Sequence, residues 1–220
     1  MTNIQSGIRD NRHRGCVAEF LQAHIKPDAE LSFVSAYFTI SAFAALQKEL
    51  ESIGSMRFLF GEPSFLDSID PDRTDRRAFS LTHDGLGLRE QLQQKAAARD
   101  CARWIEEKVE VRSVVRPDFL HGKLYHIAHQ NVEDAILGSS NFTFRGLGLD
   151  TKNANLELNL VVNDRRDLDD LKVWFDEVWN DEKRRVRERF EWRELELNRR
   201  DNEYSIGNDA QKRFVIGRIR

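Results

Sequence analysis

The chain has 220 residues, 40% of them hydrophobic and 32% charged, with a formal net charge of −3. That balance suits one large domain with a well-solvated surface, and it excludes a global basic field, so any surface for a polyanion must be local. Two distant cysteines, with no CxxC or histidine partner at ligand spacing, argue against a zinc site and a disulfide scaffold. No apolar run approaches the roughly 20 residues of a membrane span, and the opening MTNIQSGIRDNRHRG is no signal peptide, so no membrane role and a cytoplasmic setting are expected.

In chain order, residues 15–25 carry helical spacing, and ELSFVSAYFT (30–39) reads as a buried strand. A helix over 41–54 follows, with a Ser41 cap and a terminal Gly54, and MRFLFG (56–61) is a second strand. Strand, helix, strand in that order predicts a parallel pair with a crossover helix. Residues 62–87 hold Pro63, Pro71 and several aspartates and read as a long loop; 88–107 is a strong helix and 109–116 alternates as a strand. Two more strands are predicted at 121–128 and 133–139, another at 155–163, and an amphipathic helix with an acidic first turn at 167–180. The helical pattern runs on into the charged 181–200, while 201–220 has no clear pattern. The expected fold is α/β: a mixed, largely parallel β-sheet flanked by helices over residues 1–180, with a charged helical C-terminal extension or connector over 181–220.

The chemistry concentrates in FLHGKLYHIAHQNVEDAILGSSNFTFRGLG, residues 119–148. Strand parity puts His121, Lys123 and Tyr125 on one face and Gly122, Leu124 and His126 on the other. In 155–160 the same parity groups Asn155, Glu157 and Asn159, and assigns Leu156, Leu158 and Leu160 to the core. Between them EDAILGSSN is a strand ending in a small-residue turn, which can present Ser139 Oγ, the Asn141 amide and the backbone amides around Gly138 and Ser140.

If these strands are neighbours, the set suits phosphoryl chemistry. An imidazole can attack phosphorus or move a proton near neutral pH, and a lysine neutralises a non-bridging oxygen. Ser139, Asn141 and the turn amides add donors, and Glu157 can hold the imidazole in one tautomer. No carboxylate cluster for Mg²⁺ stands near the motif, so the chemistry expected needs no metal or other cofactor. Tyr125 is either a base-stacking ring or a packing aromatic, and Arg145 either holds a neighbouring phosphate or is solvated. His126 and His129 read as surface or hairpin residues, Lys183–Arg189 as a solvated face, and His13 and His24 carry no argument.

His121-x-Lys123 followed by Gly138-Ser139-x-Asn141 resembles the HKD signature of the phospholipase D superfamily. HGKLY…AILGSSNFTFRGL…NLELN is similar in particular to its bacterial nuclease branch, which includes metal-independent restriction endonucleases and modules at the front of some Swi/Snf-type helicases. The resemblance covers roughly residues 30–180 and implies a phospholipase D-like sheet, a covalent phosphohistidine, and a second histidine that protonates the leaving group. Two positions depart from the pattern: Ala128 stands where an aspartate is usual, and the interval from Lys123 to Gly138 is longer, through HQNVED. Nuclease-like members often carry instead a downstream Asn-x-Glu, matched here by Asn155 and Glu157.

The expected function is a metal-independent nuclease on DNA (RNA being the other polyanion of that chemistry) in a restriction, defence or DNA-processing system. His121, Lys123, Ser139, Asn141 and Glu157 are its expected catalytic residues, and Gly138, Ser140, Tyr125, Arg145 and Asn155 its substrate contacts. The competing readings are an inactive nucleic-acid-binding and dimerisation module attached to a helicase or ATPase, and a phospholipid hydrolase, which the absent aspartate disfavours. The chain holds one pairing of HxK with GSxN, so a homodimer with a shared active site is expected, with the turn 138–148 at its interface. Target selection would fall to a helicase or ATPase partner or fusion.

Overall fold

The computed structural model describes residues 7–60, 88–114, 120–181, 185–187, 190–196 and 213–219. Its strands are β1 (Ile8–Arg9), β2 (Glu30–Ser35), β3 (Ser55–Phe60), β4 (Val109–Val114), β5 (Lys123–His129), β6 (Val132–Gly138), β7 (Asn159–Val162), β8 (Arg185–Arg187), β9 (Phe190–Glu196) and β10 (Arg213–Ile219). The helices are α1 (Val17–His24), α2 (Ile40–Ala45), α3 (Gln47–Ser52), α4 (Leu88–Lys108) and α5 (Arg165–Asn180). β9 and β10 form an antiparallel pair, and the other strands make one sheet in the order β1-β7-β6-β5-β2-β3-β4-β8.

β2 lies centrally in this sheet and is covered on both faces, which is why LSFVS buries every residue and reads as an unbroken strand rather than an alternating one. On one face Phe33, Phe58, Tyr125, Ile127 and Ile136 pack with α1, α2, α3 and the second half of α4. On the other, Val34, Leu59, Leu124 and Ala135 pack beneath Leu168, Phe175 and Trp179 of α5. No described helix is long and apolar enough to cross a membrane.

The mixed α/β architecture and the parallel β2–β3 pair agree with the sequence reading. Parallel pairing does not predominate, however: in the main sheet only β2–β3 and β3–β4 are parallel among the described strands. The tight turn after β5 and the longer segment 139–158 after β6 both return the chain as an antiparallel neighbour instead of carrying it over the sheet. The helix expected over 41–54 divides at Leu46 into α2 and α3, and Thr39 rather than Ser41 caps it, its Oγ1 accepting from the Ala42 amide. The loop expected at 62–87 lies outside the described residues.

Three further expectations are corrected. The charged extension is not helical where it is described: 185–187 and 190–196 are strands, held by backbone pairing of β8 with β4 and of β9 with β10. Leu156, Leu158 and Leu160 are not core residues but 75%, 66% and 54% exposed. The strand is shorter than expected, and the apolar stripe of α5 covers Val162 and Ala135 without reaching these leucines. Nor is His126 a surface residue. It is buried under α5 in a cross-strand polar row with Ser32 and Arg57, while His129 does end β5 at the hairpin.

The groups around His126 define a titration. Its Nε2 lies 3.4 Å from Glu133 Oε2 without the alignment of a hydrogen bond, Lys172 reaches the other oxygen of Glu133 at 3.2 Å, and Arg57 pairs with Asp176. Burial pushes the imidazole below its ordinary pKa despite the opposing carboxylate of Glu133. The unfolded chain therefore takes up this proton near pH 6.5, while the folded chain resists it. The contribution to stability is complete above that pH and is lost as pH falls toward the folded value. Urea unfolding at pH 7.5 and 5.5 should show a lower midpoint at the acid pH, with part of that difference abolished in His126→Gln. An equal acid shift in both proteins would refute the assignment.

Candidate active site

One cross-strand row brings the distant parts of the motif together. Lys123 pairs with Gly138 across β5–β6, Gly138 with Asn159 across β6–β7, and Asn159 with Arg9 across β7–β1. Lys123 is buried, and its Nζ donates to the carbonyl of His121 at 2.8 Å and lies 3.4 Å from His121 Nε2. His121 itself is exposed, just before β5 begins. The result is an accessible imidazole whose ring nitrogen sits beside a sequestered ammonium.

The turn after β6 is tied to the segment before β7. Ser139 Oγ donates to Glu157 Oε2 and accepts from the Leu158 amide at 3.1 Å, and the Ser139 amide donates to the Leu158 carbonyl. Asn155 Nδ2 holds the other oxygen of Glu157 at 3.2 Å. Gly138 lets these segments touch: a Cβ there would lie 2.3 Å from the Leu158 carbonyl oxygen and 2.5 Å from Asn159 Oδ1. Asn159 is buried and holds Ser140 twice, its Oδ1 accepting from the amide at 3.2 Å and its Nδ2 donating to the hydroxyl at 2.9 Å.

A second anchor lies beneath the turn. The Asn141 Oδ1 accepts from Ser35 Oγ at 3.2 Å and from the Ala36 amide at 3.1 Å, which leaves the NH2 end as donor. The Phe142 amide donates to Ser35 Oγ at 2.9 Å, and the Phe142 ring stacks on Phe38 at 5.0 Å. The Tyr125 hydroxyl donates to the Ser140 carbonyl at 2.7 Å, with its ring edge-on to Phe33. Burial pushes that phenol well above its usual range, so it stays neutral and serves as a donor.

The residues read from the sequence thus separate into groups. His121, Lys123, Gly138, Ser139, Asn141, Asn155 and Glu157 gather at one end of the sheet, on β5, β6 and the turns beside them. Tyr125 and Ser140 are buried and bonded to one another or to Asn159, so they support the turn instead of offering a surface to substrate. The Ser139 hydroxyl is engaged with Glu157 rather than left for an anion. Arg145 is exposed and lies 3.9 Å from Asp150. Sequence reasoning did not single out Ser35, whose one signal is a polar residue closing the apolar run LSFVS. It also passed over Asp10, whose carbonyl accepts from the Glu157 amide at 3.3 Å. Among the described residues no group of three or more His, Cys, Asp or Glu could hold a metal ion.

Residues 30–179 match the family described as "Cardiolipin synthase, PLD-like domain". Among solved structures, the crystal structure of polyphosphate kinase from Porphyromonas gingivalis is similar at 10% identity and a TM-score of 0.48; the likeness covers 78% of this chain and 21% of the kinase. No curated protein matches the chain.

The seam at Gly138 generates a test. In Gly138→Ala the added methyl has backbone on two sides and nowhere to move, so the 138–140 and 157–159 segments must separate. Overpacking of this kind costs about 1–3 kcal/mol. Urea unfolding should show that loss, and amide exchange at Ser139 and Leu158 should accelerate more than exchange at Phe33 in the central strand. Wild-type stability and protection would show that the seam is not tight.

Proposed function

The chain belongs to the phospholipase D-like family, which carries a phosphodiester-related activity in general, and from that premise we propose that it is a metal-independent phosphodiesterase cleaving DNA. The observation that carries the reading is the exposed His121 imidazole with the buried Lys123 ammonium 3.4 Å from its Nε2. In the first step a ring nitrogen of His121 attacks phosphorus, the bond from phosphorus to the leaving oxygen breaks, and that oxygen takes a proton from a second imidazole. In the second, water attacks the phosphohistidine, giving its proton to the second imidazole, and the nitrogen–phosphorus bond breaks. Lys123 and the Asn141 NH2 stabilise the charge on the non-bridging oxygens. Glu157, braced by Ser139 and Asn155, supports the imidazolium.

Ala128 weighs less against catalysis than the motif pattern suggests. It lies toward the far end of β5, opposite Glu30 and Glu133, and on the face away from Lys123. A carboxylate missing there takes nothing from the cluster around His121. This favours an enzyme over the inactive binding module attached to a helicase or ATPase.

The second imidazole is the same histidine in a second copy. His126 cannot supply it, being buried on the opposite face. Support for a twofold partner comes from the leucines that failed to enter the core. Leu158 and Leu160, with Leu137 opposite Leu160, form an apolar strip directly beside Ser139 and Glu157. Its position fits a self-complementary contact that sets two motifs against each other.

His121→Ala should remove several orders of magnitude of DNA cleavage with the fold intact, and Lys123→Ala about 10²–10³-fold, the scale of removing one transition-state donor. Wild-type cleavage should survive excess EDTA. Near wild-type activity in His121→Ala would rule the site out, and turnover of a glycerophospholipid without turnover of DNA would move the reading to lipid.

For the dimer, Leu158→Glu should shift the chain toward monomer in sedimentation and lower activity in parallel. Excess His121→Ala chains should poison wild-type activity under exchange. Activity that tracks only the amount of wild-type chain would refute a shared site.

A further inference from the structure

The N-terminal loop Arg9–Gly15 has no part in the chemistry above, yet it is built onto the same site. Asn159 Nδ2 donates to the Arg9 carbonyl at 3.2 Å, the Asp10 carbonyl accepts from Glu157, and Asn11 Nδ2 donates to the Gly146 carbonyl at 2.8 Å. Arg12 Nη2 donates to the Ala154 carbonyl at 2.8 Å. The loop is therefore stapled to both segments that carry the Ser139–Glu157 pair.

Its own shape is set by Asp10, whose Oδ1 accepts from the amides of Arg12, His13 and Arg14, each at 2.9 Å, and whose Oδ2 meets Arg14 Nη1 at 3.0 Å. These bonds, led by the Arg14 and Arg12 amides, hold the Asp10 carboxyl well below the usual carboxylate range. The one acid of the loop is thus turned inward and neutralised by local donors. Arg12, His13 and Arg14 are left on the outside. Behind them is a cavity of about 560 Å³ lined by Arg9, His13, Arg14, Glu19, Phe20 and His24.

Arg9, Arg12 and Arg14 stand here against the carboxylates of Asp10 and Glu19, a local basic excess on a chain whose net charge is −3, and its place is informative. Arg9 ends the row that starts at Lys123. Three strand spacings of about 4.8 Å put it about 14 Å from Lys123, the reach of a few nucleotide steps. We propose that the Arg9–Gly15 loop is a second binding site, a clamp for the phosphodiester backbone a few nucleotides from the scissile bond. The proposal rests on the nuclease reading and adds to it the residues that hold the flanking strand. Because Asp10 fixes the loop before any ligand arrives, little ordering entropy is lost on binding.

The test uses the full chain carrying His121→Ala, so that a labelled 16-base-pair duplex is bound and not consumed, with affinity followed from 50 to 300 mM salt. Adding Arg14→Ala or Arg12→Ala should weaken binding on the order of tenfold at the lowest salt and flatten the slope of log K against log[salt] by about 0.9 for each phosphate no longer neutralised. Arg14→Lys should keep most of the slope, since a point charge suffices for a phosphate. Urea midpoints of each variant separate lost charge from lost fold. An unchanged slope in both alanine variants, or equal weakening at every salt, would overturn the clamp while leaving the nuclease reading in place. Absence of salt-dependent binding by the parent chain would overturn the nuclease reading itself.

Discussion

The contact between Gly138 and the backbone of Leu158 and Asn159 is the constraint on which the motif end of the sheet depends. β6 and the segment before β7 approach so closely that a single methyl carbon would overlap a carbonyl oxygen. Only at that spacing can Ser139 reach both Glu157 and the Leu158 amide, and only then can Asn159 hold Ser140 by two bonds. Gly138 also pairs with Lys123 across β5–β6, so the same contact joins the strand of the lysine to the turn.

Several polar groups at this end of the sheet lie deep in the fold. Lys123, Ser35, Ser140 and Asn159 are all buried. Buried polar groups are costly unless bonded, and once bonded they are rigid. Here each bond fixes part of the turn: Ser35 fixes Asn141 and Phe142, Tyr125 fixes the Ser140 carbonyl, and Asn159 fixes Ser140 and Arg9. The exposed residues, His121 and Ser139, are then carried on a frame that does not need substrate to form. Electrostatic stabilisation of a developing charge works best with donors placed beforehand.

Much of this was legible from the residues. The alternation of HGKLYHIAH separated Lys123 from His126 correctly, and GSSN followed by NLELN marked the turn and the glutamate that meet. What failed were inferences about cover. Period-two alternation says that Leu156, Leu158 and Leu160 share a face, but not whether anything lies over that face; α5 stops short of them. His126 failed in the opposite sense, because a histidine in a strand gives no sign that an arginine, a glutamate and a helix will enclose it. The charged segment after Asn180 satisfied helical spacing, and that spacing could not show its strand pairing with β4 and with distant residues of β10.

The two surfaces left over from folding differ in the chemistry they offer. Along β6 and β7 the face beneath α5 ends in uncovered leucines, whereas the opposite face ends in the arginines of the N-terminal loop. The segment 154–160 serves both. Its alternate side chains are apolar on one side, and its backbone carries the Arg12 and Asp10 contacts on the other. An apolar strip in water gains from meeting another of its kind, and a set of arginines loses from doing so. A second copy docked on the leucine side would therefore leave the basic loop of each subunit facing outward, on either flank of a shared centre. That arrangement suits a long polyanion better than a small phosphodiester, because only an extended strand can cross the centre and reach both loops.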